Sequence, residues 1–308
     1  MAPPPDPAAP TDAPTGASGA PSGGALAGVL ADLDALSARL DALVAPLPEA
    51  DWRRPTPAAG WDVAAQVAHL AWTDVAATAA AGAAAGSKDE WDAIVLQAMG
   101  DPEHFVDRSA TEGAAVPPAT LLADWRDRRA ALQAALRELA ELHPGAKMPW
   151  FGPPMSPTSM ATARYMETWA HGLDVADALG APVVHDDGVR HVCHIGVRTR
   201  AFSHLNRGEE APSAEVRVEL VGPSGATWTW GPEDAEQRVE GPAVDFAQLV
   251  TQRRHRDDLA LRAVGAEADH WLDVAQAFAG PPGPGRAPQA PGTPTGTPTD
   301  TDPQGGTA

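Results

Sequence analysis

Glu167 and His171 stand four residues apart in the stretch RYMETWAHGLDVADALG, which runs from Arg164 to Gly180. On a helix, that spacing puts a carboxylate and an imidazole on one face, where they can grip a single cation between them. A third ligand has to come from another helix. His69 is the candidate: it lies between Val67 and Leu70 in VAAQVAHLAWTD, among apolar neighbours, where an imidazole needs a partner. Two histidines and one carboxylate leave a coordination position open for water or substrate, which suits catalytic zinc. Fe(II), Ni(II) and Mn(II) accept the same donors, so residue types alone do not separate them. The competing reading is a surface Glu–His pair on one helix and an ordinary core histidine on another.

Other side chains are placed to assist. Arg164, one turn before Glu167, is a candidate for holding a substrate or cofactor carboxylate. Arg253 and Arg254, in the cluster Arg253-Arg254-His255-Arg256, are candidates for the acidic groups of a cofactor; a solvated helix face is the alternative. Asp74 and Asp174 follow His69 and His171 by five and three residues and could orient the imidazoles. The loop Pro149-Trp150-Phe151-Gly152-Pro153-Pro154-Met155 can form a wall or lid, or a packed connector. His191 and His194 flank Cys193, but no acidic or sulfur partner has matching spacing. Cys193 itself reads as a small buried hydrophobe.

The elements that would position these groups follow from apolar periodicity. Leu26, Val29, Leu30, Leu33, Leu36, Leu40, Leu43 and Val44 make one stripe of a helix over 25–46, stopped by Pro46 and Pro48. Asp62 is a plausible N-cap for a second helix that carries His69. A short helical piece is expected around Trp91–Met99, and a third long helix over about 119–142. The fourth begins at Thr158 or Ser159 and ends at Gly180, a natural C-terminal cap. Four long amphipathic helices predict a bundle. Beyond Pro182 the pattern predicts a helical stretch over 187–205, then a hairpin from EVRVELV and ATWTWG. A weaker strand at 236–240 and helices over 243–254 and 266–279 complete it. The fold class is therefore mainly α with an α+β second domain. The expected organisation is a disordered segment 1–24, a metal-binding helical bundle 25–181, an α+β domain 182–283 and a disordered tail 284–308.

Composition narrows the function classes. The net charge is −19, from 41 acidic and 22 basic residues, which argues against a nucleic-acid partner. No run of 18 apolar residues suggests a membrane span, and no secretory signal pattern is visible. The single cysteine excludes an internal disulfide and a thiolate metal cluster. Together these predict a cytoplasmic protein, monomeric or homodimeric.

GWDVAAQVAHLAWTD followed by METWAHGLDVADALG resembles the N-terminal domain of mycothiol-dependent maleylpyruvate isomerases, within the DinB-like metal-binding four-helix bundles. The resemblance rests on Trp61, His69-Leu70, Glu167, His171-Gly172, Asp174 and Ala178-Leu179-Gly180, and covers about 25–180. It implies His69, Glu167 and His171 as ligands of a divalent metal, zinc first among the candidates, and mycothiol as a cofactor. The implied chemistry is isomerisation or thiol transfer on a small electrophilic substrate, through a metal-bound thiolate. The second domain is similar to a sterol-carrier-like fold, and no single arginine here aligns with the basic residue that domain supplies in the isomerase. GPAVDFAQLVTQRRHRDDLAL also loosely resembles a short domain of wyosine-forming tRNA enzymes, a role the acidic charge opposes. The chain fits an uncharacterised branch of the isomerase-like family, and the alternative is a non-enzymatic, metal-containing ligand carrier or sensor.

Overall fold

The computed structural model describes residues 22–283 and 285–289. Residues 1–21, 284 and 290–308 lie outside the described residues, and with them most of the two end segments expected to be disordered. The long helices are α1 (Ser22–Val44), α2 (Val63–Ala84), α5 (Pro118–Leu142) and α6 (Pro157–Leu179). Two shorter ones, α3 (Asp89–Gly100) and α4 (Phe105–Ala114), lie between α2 and α5. In the bundle α1 packs on α6, α5 on α2, and α6 on both α2 and α5.

The helices that carry the triad are firmly bounded. Asp62 caps α2, its side chain accepting from Ala65 N–H at 2.8 Å. Ser156 caps α6 by accepting from Ser159 N–H at 3.1 Å, and Pro157 occupies the first helical position, where its missing N–H costs nothing. Gly180 closes α6 with φ 63°, a left-handed conformation that glycine adopts without a Cβ penalty. Helix α2 is alanine-rich, which favours helix and lets neighbours approach closely. Helix α4, not anticipated from its polar sequence FVDRSATEGA, uses that access: a Cβ on Gly113 would stand 3.0 Å from the Ala68 Cβ.

The expected helix over 187–205 is a short 3-10 turn followed by α7 (Arg190–Arg198) and α8 (Arg200–Leu205). Strands β1 (Val216–Val221), β2 (Thr227–Trp230), β3 (Gln237–Pro242) and β4 (Arg262–Val264) form one sheet in the order β2-β1-β3-β4. The β1–β2 hairpin pairs Leu220 with Trp228, β3 runs parallel to β1 with Val239 beside Val218, and β4 pairs antiparallel at the edge. Strand β4, only three residues long, carries no alternating pattern and was missed. Helices α9 (Ala243–Val250) and α10 (Ala266–Val274) end earlier than expected. After α9 the chain turns through Gln252, whose φ of 57° a helix cannot accommodate.

One continuous apolar cluster joins Leu30, Met160 and Tyr165 of the long helices to Leu220, Phe246 and Trp271 beside the sheet. A second, around Val63, Val67, Leu121, Trp125 and Val175, lies under the start of α2. Each such side chain contributes about 1.5–3 kcal/mol by leaving water, and this burial stabilises the frame that holds the triad. Among the described residues no helix is long and apolar enough to cross a membrane.

Candidate metal centre

Helix α2 supplies His69, and α6 supplies Glu167 and His171 one turn apart. The three residues offer donor atoms that all lie within 4.8 Å of one another. Glu167 Oε2 is the focus, 3.4 Å from His69 Nε2 and 3.1 Å from His171 Nε2. The imidazole centroids are 4.6 Å apart. All three residues the sequence singled out are thus brought together.

A hydrogen-bond chain fixes which His171 nitrogen carries a proton. Thr56 Oγ1–H donates to Trp61 O at 2.8 Å, so the hydroxyl accepts from Gln66 Nε2–H, also at 2.8 Å. That orients the Gln66 carbonyl oxygen toward His171 Nδ1, 2.5 Å away, where it accepts the Nδ1–H. The Nε2 of a neutral His171 then aims a lone pair at a carboxylate oxygen. Two acceptors facing one another at 3.1 Å repel unless a positive charge lies between them. The donor set therefore fits a divalent ion: two imidazole nitrogens and one carboxylate oxygen, with a glutamine orienting one ring from behind. His69 Nδ1, by contrast, is buried and meets no hydrogen-bond partner among the described residues. Its ring is set by packing against Trp61 and Trp72, at centroid distances of 5.1 and 6.2 Å.

The electrostatics match a neutral His69 beside an ionised carboxylate. Burial pushes His69 down to about 4, and the charges of His171 and Arg164 add to this against the pull of Glu167. Burial pushes Glu167 up, but the nearby His171 and His69 rings and the Arg164 charge outweigh it and hold the carboxyl well below the usual carboxylate range.

Arg164 also reaches the centre. It is 4% exposed, and its Nη2 lies 3.8 Å from Glu167 Oε1. Its guanidinium carbon sits 5.4 Å from the centroid of the Trp150 ring. Nε and Nη1 are buried and have no partner among the described residues, so part of its donor capacity is unused there. Trp150 and Phe151 belong to the proline-rich loop, which is pinched shut by reciprocal backbone bonds between Met148 and Met155. Phe151 packs on Trp91 and Phe105, and Phe105 packs edge-on against Trp72, so aromatic contacts link the loop to His69.

The remaining candidates lie differently. Arg253 points back onto α6, its Nε 3.0 Å from Asp174 and donating to Ala170 O at 3.2 Å. Arg254 grips both oxygens of Asp177 at 2.8 Å. Arg286 joins this network through Asp174 and Asp177. Asp174 is thus committed to arginines, and among the described residues neither it nor Asp74 hydrogen-bonds an imidazole of the triad; Gln66 does. Gln66 was missed because a glutamine in an alanine-rich helix carries no motif, although its position three residues before His69 places it on the same face. Cys193 is fully buried, donates to Ala243 O at 3.3 Å, and burial pushes its thiol well up. His191 pairs with Asp32 at 2.7 Å, and His194 accepts from Trp230 Nε1–H at 3.3 Å, so the two do not share a site.

A helical bundle with a His–Glu–His constellation between two of its helices is the class these features define. Residues 33–176 match the family described as the mycothiol maleylpyruvate isomerase N-terminal domain, and residues 212–264 match that described as wyosine base formation. The chain belongs to the mycothiol-dependent maleylpyruvate isomerase-like family. It is 53% identical over 255 residues to an uncharacterized protein of Mycobacterium tuberculosis strain H37Rv, covering 83% of this chain and 96% of that one. The corresponding uncharacterized protein of strain CDC 1551 gives the same figures. Crystal structures of the mycothiol-dependent maleylpyruvate isomerase share the fold. A histidine-to-alanine mutant superposes with a TM-score of 0.52 at 16% identity, over 74% of this chain and 89% of that one. The structure titled without a mutation gives 0.50 at 15% identity over the same shares.

Proposed function

We propose that this chain binds one divalent metal ion through His69, Glu167 and His171, and uses mycothiol to act on a small electrophile, as an isomerase or a thiol transferase. The observation that carries the reading is the forced arrangement at His171. Gln66 takes its Nδ1–H and leaves Nε2 facing Glu167 Oε2 with a gap suited to a cation. Zinc is the first candidate for that nitrogen–oxygen donor set. When bound, the ion would supply the positive charge that keeps a thiol in its nucleophilic thiolate form near neutral pH.

The side chains around the centre suit the rest of the task. Cys193 is buried beyond reach, so the thiol comes from outside the chain. Arg164 offers unpartnered N–H groups to a negative charge on the electrophile. Trp150 lies over the Arg164 guanidinium and Phe151 packs on Trp150, which sets apolar surface beside that charge. Thiolate addition to a polarised double bond, rotation and elimination gives isomerisation. Addition followed by uptake of a proton at the neighbouring carbon, in place of elimination, gives transfer.

The same reading includes a DinB-like bundle over 25–181, a sterol-carrier-like α+β domain over 182–283 and a cytoplasmic setting without nucleic acid. It is tested by substituting cobalt and adding mycothiol. A sulfur-to-metal charge-transfer band is expected, and an unchanged spectrum would contradict it.

A further inference from the structure

Away from this centre, a second set of metal-competent side chains converges. We propose that His204, Glu209 and His270 form a second cation site, taking a divalent transition ion such as zinc, nickel or cobalt and tying α8 to α10. His204 lies in the last turn of α8, Glu209 in the loop that follows, and His270 within α10. The donor atoms lie within 4.8 Å of one another. Glu209 Oε2 is 2.9 Å from His204 Nδ1 and 2.8 Å from His270 Nε2.

The backbone sets this geometry before any ion arrives. The turn after α8 closes with Glu209 N–H donating to His204 O at 3.1 Å, and Gly208 takes φ 75° to allow it. Glu209 is thereby held beside the His204 ring. That ring is 4% exposed, its Nε2 meets no partner among the described residues, and its polar contact is made through Nδ1 toward Glu209. His270 and Glu209 are open to solvent, so water can complete the coordination. Bonds of about 2.1 Å in a tetrahedral arrangement set donors roughly 3.4 Å apart. The observed pairs therefore need to open by only about half an ångström to admit an ion. A net charge of −19 raises the local cation concentration.

The site is separate from the triad and is tested separately. The full chain carrying His69→Ala and His171→Ala is stripped with chelator, checked for fold by circular dichroism, and titrated with zinc against a chromophoric chelator. It is expected to retain about one equivalent and to gain thermal stability from it. Adding His270→Ala or Glu209→Gln, both at solvent-accessible positions, is expected to abolish both effects. In the otherwise unaltered chain, His270→Ala should lower saturating zinc by about one equivalent. The proposal is overturned if the triad-deleted chain binds no zinc, or if its zinc survives both further substitutions. Either result leaves the triad reading untouched.

Discussion

His171 Nδ1 lies 2.5 Å from the side-chain oxygen of Gln66, a residue 105 positions earlier in the chain. This contact fixes the His171 tautomer, and it links the α6 half of the triad to the loop before α2 through Thr56. An imidazole so oriented presents Nε2 as a ligand without having to choose between nitrogens.

Gln66 is therefore expected to matter as much as a direct ligand's neighbour can. Gln66→Leu removes the acceptor for His171 and the donor for Thr56 at a fully buried side chain. Metal affinity should fall by about 10–100-fold, with a stability loss of about 1–3 kcal/mol. Gln66→Glu, which keeps an acceptor, should retain more of the affinity. Equilibrium dialysis of the two variants reads the difference, and equal affinities would remove Gln66 from the account.

Asp74 gives a pH signature. Burial raises its carboxyl from 3.8 to about 7, against the lowering charges of Arg164, Arg129 and Arg128. Between those values the folded chain holds a proton that the unfolded chain has released, so stability falls as pH rises through the window. The loss at pH 8 relative to pH 4 is up to roughly 4 kcal/mol from this group. Asp74→Asn should flatten that part of the profile in denaturant melts and stabilise the protein most above pH 7. A profile unchanged by the substitution would contradict the assignment.

Cys193 should resist modification. Its side chain is fully buried, and burial pushes the thiol well up, so little thiolate exists for a reagent to meet. A disulfide reagent should titrate no thiol in the native protein and about one per chain in denaturant. Rapid native labelling would reopen the question of an internal nucleophile.

Spacing offered the triad as one of two readings, and the family resemblance named its three residues. Glu167 and His171 sit one turn apart on a helix with clear ends, and His69 interrupts an apolar face. The long helices and the β1–β2 hairpin were legible because apolar period marks which face is buried. What sequence did not show depends on contacts between distant segments. Helix α4 is polar and is held by its fit against Ala68. Strand β4 exists because β3 offers an edge. Gln66 becomes an orienting residue only when α6 brings His171 beside it, and Arg253 and Arg254 turn out to face Asp174 and Asp177.

The central claim is that His69, Glu167 and His171 hold a metal ion, and metal content decides it most directly. In a chain carrying His270→Ala, which removes the second proposed site, purified protein should hold about one divalent ion. Adding His171→Ala, with the fold verified by circular dichroism, should reduce that to near zero. Full occupancy retained after the loss of His171 would contradict the account.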